Sequence, residues 1–178
     1  MADLDVVDEN DNVIGRAPYE VIHTQGLRHR SVQVLVFREP DLETLLVSQR
    51  NQGMVSGGKF HTSAGGHVKL GQTYEQAALE ELGEELFCNM RELPSGIVLV
   101  EVTRYKNDTR KTNKENTGLS YAVYDGPFSP DPEEIASIDW VSRHRIWQDM
   151  LLNPDKYTQT FINAILEFKK WRGKQYTI

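Results

Sequence analysis

The stretch AGGHVKLGQTYEQAALEELGEELF, residues 64–87, constrains this chain more than any other, because its second half must be helical against local resistance. Thr73 is a fitting N-cap, Gln76 three residues later completes a capping box, and Ala77, Ala78 and Leu79 propagate well, which predicts a helix over about 73–87. At about 100° per residue, Glu80, Glu81, Glu84 and Glu85 share one sector roughly 140° wide, centred near Ala77, beside an apolar stripe of Ala78, Leu82 and Leu86. Like charges four residues apart each cost roughly 0.2–0.5 kcal/mol, and carboxylates near a helix C-terminus oppose its dipole. Gly83 adds about 1 kcal/mol. The crowding has two readings. One is a solvated acidic face; the other is a site for a hard cation, Mg²⁺ or alternatively Mn²⁺, which takes oxygen ligands and keeps waters for a phosphate-bearing substrate. Ahead of the helix, Gly65, Gly66 and Gly71 permit close backbone approach, so a strand can turn sharply onto it.

A chain of 178 residues, 39% hydrophobic and 26% charged, fits one domain over 1–178 with one core. A formal charge of −6 and a pI near 5.4 exclude the dense basic surface that sequence-independent nucleic-acid binding needs. No segment approaches the roughly 20 apolar residues that span a bilayer, and MADLDVVDEN carries neither basic leader nor apolar run, so a cytoplasmic location and no membrane partner are expected. The single cysteine, Cys88, rules out an internal disulfide and a Cys-based zinc cluster. It reads as a small buried hydrophobe closing the helix.

LDVVDENDNVIGRA predicts an N-terminal β-hairpin within an extension over about 1–28. SVQVLVF (31–37), TLLVSQR (44–50), SGIVLVEVTRY (95–105), TGLSYAVYDG (117–126) and IASIDWVS (135–142) predict strands. NQGMVSGGKFH (51–61) reads as irregular, and KNDTRKTNKEN (106–116) as a loop near whatever the strands frame. Helices are expected at about 143–152 and 157–171, the latter with Phe161, Ile162, Ile165, Leu166 and Phe168 at helical spacing. The class is mixed α+β, an α/β/α sandwich with a mixed sheet between helices.

GGHVKLGQTYEQAALEELGEELF resembles the signature of the Nudix hydrolases: GGxxxxGE, seven variable residues, RE, an aliphatic residue, any residue, EE, any residue and G. Gly66 takes the leading glycine, and Gln72, Glu80, Glu81, Leu82, Glu84 and Glu85 take motif positions at preserved spacing. The resemblance implies the Nudix fold over most of the chain and metal-dependent cleavage of a small-molecule diphosphate such as a nucleoside diphosphate derivative. It implies Glu84 and Glu85 as main ligands and Glu81 as a further ligand or base. Three positions depart: the family's glutamate is Gln72, its arginine is Glu80 and its last glycine is Phe87. In the family the glutamate and arginine brace loop against helix. A glutamine amide can still donate to a carboxylate, but a positive charge beside the ligands is lost.

Glu115, expected in a loop just before a strand, is a candidate further ligand or base, against the reading of a surface glutamate. Arg50 and Lys59 flank the glycine-rich loop as candidate phosphate contacts, with Gly65, Gly66 and His67 as substrate-binding candidates. Phe60, Tyr105 and Tyr121 are read as core rather than ligand platforms. LRHRSVQVLVF, GGH and Glu115 also resemble isopentenyl diphosphate isomerase, with His29 and His67 placed like its metal-binding histidines. That enzyme uses a cysteine immediately before its glycine-histidine pair; here the position is Gly65. A catalytically weak Nudix-fold binding module is the remaining alternative, motivated by Gln72 and Glu80. The C-terminal helix leaves a homodimer open.

Overall fold

The computed structural model describes residues 3–88 and 93–175. The strands run β1 (Asp3–Val7), β2 (Val13–Pro18), β3 (Arg28–Phe37), β4 (Thr44–Arg50), β5 (Phe60–His61), β6 (Ala64–His67), β7 (Val100–Lys106), β8 (Lys114–Val123) and β9 (Ile135–Ser142). The helices are α1 (Tyr19–Gln25), α2 (Tyr74–Leu86), α3 (Arg143–Leu152) and α4 (Gln159–Gln175). Among the described residues no helix is long and apolar enough to cross a membrane.

β3 is the hub of a mixed sheet. Along one edge it pairs in parallel with β8, from Arg28 opposite Lys114 to Phe37 opposite Val123. Its other edge takes β1 at His29, β6 over Ser31–Val34 and β4 only at Phe37. Beyond that point β3 and β4 part, with β6 alongside β3 while β5 and β9 flank β4. Alternation does the sorting. Val32, Val34 and Val36 pack against Ala78, Leu82 and Leu86 of α2, while Leu35 and Phe37 pack against Phe161, Ile165 and Phe168 of α4. Helices therefore cover both faces, the α/β/α sandwich expected from the sequence. On the α4 side, the same strand carries the polar His29, Ser31 and Gln33 in its first half. Apolar packing stops there and a cavity begins.

The expected N-terminal hairpin forms from β1 and β2. It is tied down by Asp11, whose Oδ1 accepts from Arg30 Nε at 2.8 Å and from Tyr74 hydroxyl at 3.0 Å. α1 follows it and was not legible: it is seven residues long, has no side-chain N-cap and buries only Ile22. β3 begins at Arg28 rather than 31 and β8 at Lys114 rather than 117, because the two strands go on pairing in parallel through the polar residues 28–30 and 114–116. Glu115 is thus in a strand, not in the loop before it. Strand structure is absent from 95–99, where Ile97 N bonds Pro94 O, and β7 starts at Val100. The 51–61 segment is irregular as expected except for Phe60–His61, which pairs with β4. α3 matches its expected bounds, and α4 starts two residues late and extends to Gln175. Phe60, Tyr105 and Tyr121 pack against the core as expected. Cys88 is exposed rather than buried; it has φ 48° just past the helix end, which swings its side chain outward to within 3.7 Å of Pro130 O.

Candidate active site

α2 begins with the predicted capping box: Thr73 Oγ1 accepts from Gln76 N at 3.2 Å, and Thr73 N donates to Gln76 Oε1 at 2.9 Å. Its acidic face is not a solvated one. Glu85 is only 4% exposed and its Oε1 accepts from Gly65 N at 3.1 Å. Glu81 makes no hydrogen bond or ion pair among the described residues, and its carboxylate lies against Gly66, where a Cβ would stand 2.2 Å from Oε1. Glycine at 66 is what lets this acid pass the strand. Burial first, then the Glu84 charge, pushes the Glu81 carboxyl up to about 8, and burial also raises Glu85 well above the carboxylate range.

The outer half of the face is neutralised from within. Lys69 Nζ lies 2.8 Å from Glu80 Oε1 and 3.2 Å from Glu84 Oε1, and Gln72 Nε2 donates to Glu80 Oε2. The expected amide-to-carboxylate bond is therefore present. The expected loss of a positive charge beside the ligands is corrected, because Lys69, three residues before Gln72 in the turn ahead of α2, supplies one.

Glu134, just before β9, lines the same cavity as Glu81 and Glu84 and was missed in the sequence, where it sits in an acidic, proline-bearing loop. Asn51 N bonds its carbonyl at 2.8 Å and Asp131 N bonds Glu85 O at 2.8 Å, so its loop is bolted to both β4 and α2. Its own carboxylate makes no hydrogen bond or ion pair among the described residues, and burial raises its pKa. Buried acids answered by one backbone N–H and one lysine fit a divalent oxygen-seeking ion.

A second group adjoins the first. His23 of α1, His29 of β3 and His67 of β6 offer ring nitrogens that all lie within 4.8 Å of one another. His23 Nδ1 lies 3.0 Å from Tyr19 O and His29 Nδ1 lies 3.1 Å from Leu27 O. A carbonyl only accepts, so both Nδ1 atoms donate, and in a neutral ring that leaves Nε2 with a lone pair. His29 Nε2 and His67 Nε2 are buried with no hydrogen-bond partner among the described residues. Burial first, with neighbouring ring charge, drives His29 down to about 4 and His67 to about 3. Glu115 Oε1 stands 3.7 Å from His29 Nε2 and 3.8 Å from His67 Nε2, while Asn107 Nδ2 holds its other oxygen at 2.9 Å. Three imidazoles and a carboxylate suit a borderline transition ion. Glu115 thus joins the histidines rather than the helix acids. His23 was missed because the helix that carries it was missed.

Both groups open on one cavity of about 710 Å³. Glu81, Glu84, Glu115, Gly65, Gly66 and His67 line it, as does Arg50, whose Nε also donates to Val55 O at 2.9 Å. Lys59 is not among its lining residues.

A family model described as the NUDIX domain matches residues 27–161. An uncharacterized Nudix hydrolase, orf19, of Rhodococcus erythropolis is 36% identical over 140 residues, covering 76% of this chain and 74% of its own length. The isopentenyl-diphosphate delta-isomerase of Burkholderia multivorans is 29% identical over 161 residues, covering 89% of this chain and 88% of its own. In fold, the chain resembles DR0079 of Deinococcus radiodurans, with TM-score 0.70 and 20% identity over 85% of this chain and 90% of that one. It also resembles the NUDIX domain of Shewanella oneidensis NrtR, solved with ADP ribose, with TM-score 0.57 and 15% identity over 82% and 86%.

Proposed function

The chain belongs to the Nudix hydrolase family, and from that premise we propose that it hydrolyses the diphosphate bond of a small nucleoside diphosphate derivative in the cytoplasm. One observation carries the reading: Glu81, Glu84 and Glu134 meet on a cavity that also holds Arg50 and is large enough for such a ligand. Glu81, Glu84 and Glu85 would hold Mg²⁺ or Mn²⁺, which supplies neutralisation of diphosphate charge and activation of water. Arg50 presents a guanidinium to phosphate oxygens. Gly66 admits the Glu81 carboxylate, and Gly65 N donates to Glu85 Oε1. Glu134, unpartnered and on a braced loop, takes the proton from the attacking water. His23, His29, His67 and Glu115 would hold a second, softer ion at the far wall. The likeness to a domain that holds ADP ribose supports a nucleoside diphosphate sugar as ligand class.

The histidine cluster and the isomerase relatives favour a second reading, alkene isomerisation. Against it stands Gly65. A Cβ there would lie 2.7 Å from Val32 O, a backbone atom, and 2.7 Å from Gln33 Oε1, so the cysteine that chemistry needs has no room.

The test is a panel of nucleoside diphosphate derivatives incubated with the chain and Mg²⁺, read by release of phosphate-containing products. Turnover that Glu84→Gln or Glu85→Gln abolishes supports hydrolysis. Saturable binding without turnover points to a binding module, and conversion of isopentenyl diphosphate to its allylic isomer overturns the rejection of the isomerase.

A further inference from the structure

The brace between loop and helix is built with its polarity reversed. In the box pattern the cation is an arginine on the helix and the acid a glutamate on the loop; here the helix carries Glu80 and the loop carries Lys69. The four residues form a connected unit. Lys69 N donates to Gln72 Oε1 at 2.9 Å, Gln72 Nε2 donates to Glu80 Oε2, and Lys69 Nζ reaches Glu80 Oε1 at 2.8 Å and Glu84 Oε1 at 3.2 Å. Lys69 is therefore held by its backbone as well as by its charge, and Gln72 N closes the turn onto Lys69 O at 3.0 Å.

We propose that Lys69 is the positioning residue of this site: a cation moved from the helix to the loop that fixes the carboxylate of Glu84 for its work. The proposal rests on the diphosphate reading for the identity of that work, but not for its measurement. Two effects of Lys69 on a bound cation oppose each other. Its charge repels the ion, and its hydrogen bond preorganises a ligand. The side chain is 38% exposed, so the repulsion is screened by water to a factor of roughly five or less. Losing a partner that orients a ligand costs about 10- to 100-fold in affinity. Orientation wins.

The inference predicts that the Lys69→Met protein binds Mg²⁺ about tenfold or more weakly by calorimetry, with circular dichroism unchanged. Lys69→Arg restores affinity to within about threefold of the parent. So does a relocated brace, Lys69→Met with Gln72→Glu and Glu80→Arg, which puts the cation back on the helix. Lys69 also lines the cavity, so turnover separates the roles: Lys69→Met is expected to lower kcat with little change in KM, and a raised KM with kcat unchanged would make it a substrate contact and overturn the inference. Mg²⁺ binding that stays equal or tightens in Lys69→Met overturns the inference and makes Lys69 a mere competitor of the ion. So does failure of both restoring variants. Affinity reads Lys69 whether or not any diphosphate is cleaved, so a chain that takes up Mg²⁺ without turnover sinks the hydrolase reading and not this one.

Discussion

Two residues separate the reactions that this family of sites can run. Glu134 lines the cavity with a carboxylate that makes no hydrogen bond or ion pair among the described residues, whereas Glu84 is held by Lys69 and Glu85 by Gly65 N. If it accepts the proton, Glu134→Gln lowers kcat by about 10²- to 10⁴-fold and leaves Mg²⁺ affinity within about threefold. Steady-state rates on the best panel substrate, paired with calorimetry, check this; an equal loss of affinity would make it a ligand instead. Gly65 argues in the other direction. Adding the isomerase cysteine should not confer isomerisation, because the new Cβ meets Val32 O at 2.7 Å and the strand must shift. Gly65→Cys is expected to cost about 1–3 kcal/mol in urea unfolding and to leave isopentenyl diphosphate unconverted.

At the scale of elements, the histidine cluster is a junction of four of them. α1 brings His23, β3 brings His29, β6 brings His67 and β8 brings Glu115 opposite His29 in register. An ion held there would bind the folded arrangement and not the open chain, so Zn²⁺ or Mn²⁺ at about 100 times its dissociation constant should stabilise by about 2.7 kcal/mol. Thermal unfolding checks it: the shift should vanish in His29→Gln and should not be reproduced by Mg²⁺ at the same concentration. The same elements mark where the sequence stopped being readable. α2 could be read in advance because its cap, its propensity and its acids are local signals that tertiary contacts then kept. α1 and β6 could not: the helix opens after Pro18 with no side-chain cap, and the strand is AGGH, whose two glycines answer close tertiary approach, Gly65 to Val32 O and Gly66 to the Glu81 carboxylate, rather than strand propensity. The first residues of β8 are polar for separate tertiary reasons, Lys114 being exposed, Glu115 lining the cavity and Asn116 bonding Asp8 O of the hairpin, which made a strand look like a loop. The charge on Lys69 was visible in the sequence. Its destination was not, since the family pattern places that charge on the helix.

For the molecule as a whole, acid stability turns on a buried base. His61 of β5 is 6% exposed, its Nδ1 lies 2.7 Å from Thr158 Oγ1, and it joins the short strand to the start of α4. Burial first, with the nearby Arg50 charge, drives it from 6.5 down to about 3, so the folded chain keeps it neutral where the unfolded chain protonates it. The sign follows from linkage. Below pH 6.5 the unfolded state binds a proton that the folded state refuses, so this contribution is complete above 6.5 and is lost as pH falls toward 3. The loss approaches about 1.4 kcal/mol per pH unit in that window. The buried carboxyls, whose pKa values are raised, act with the opposite sign, so total stability is not the measurement to make. The informative quantity is the difference between parent and His61→Gln, in which the carboxyls cancel. Urea unfolding between pH 7 and pH 4 should show the parent's advantage shrinking steadily as pH falls, and a difference independent of pH would mean that folding does not shift the His61 pKa.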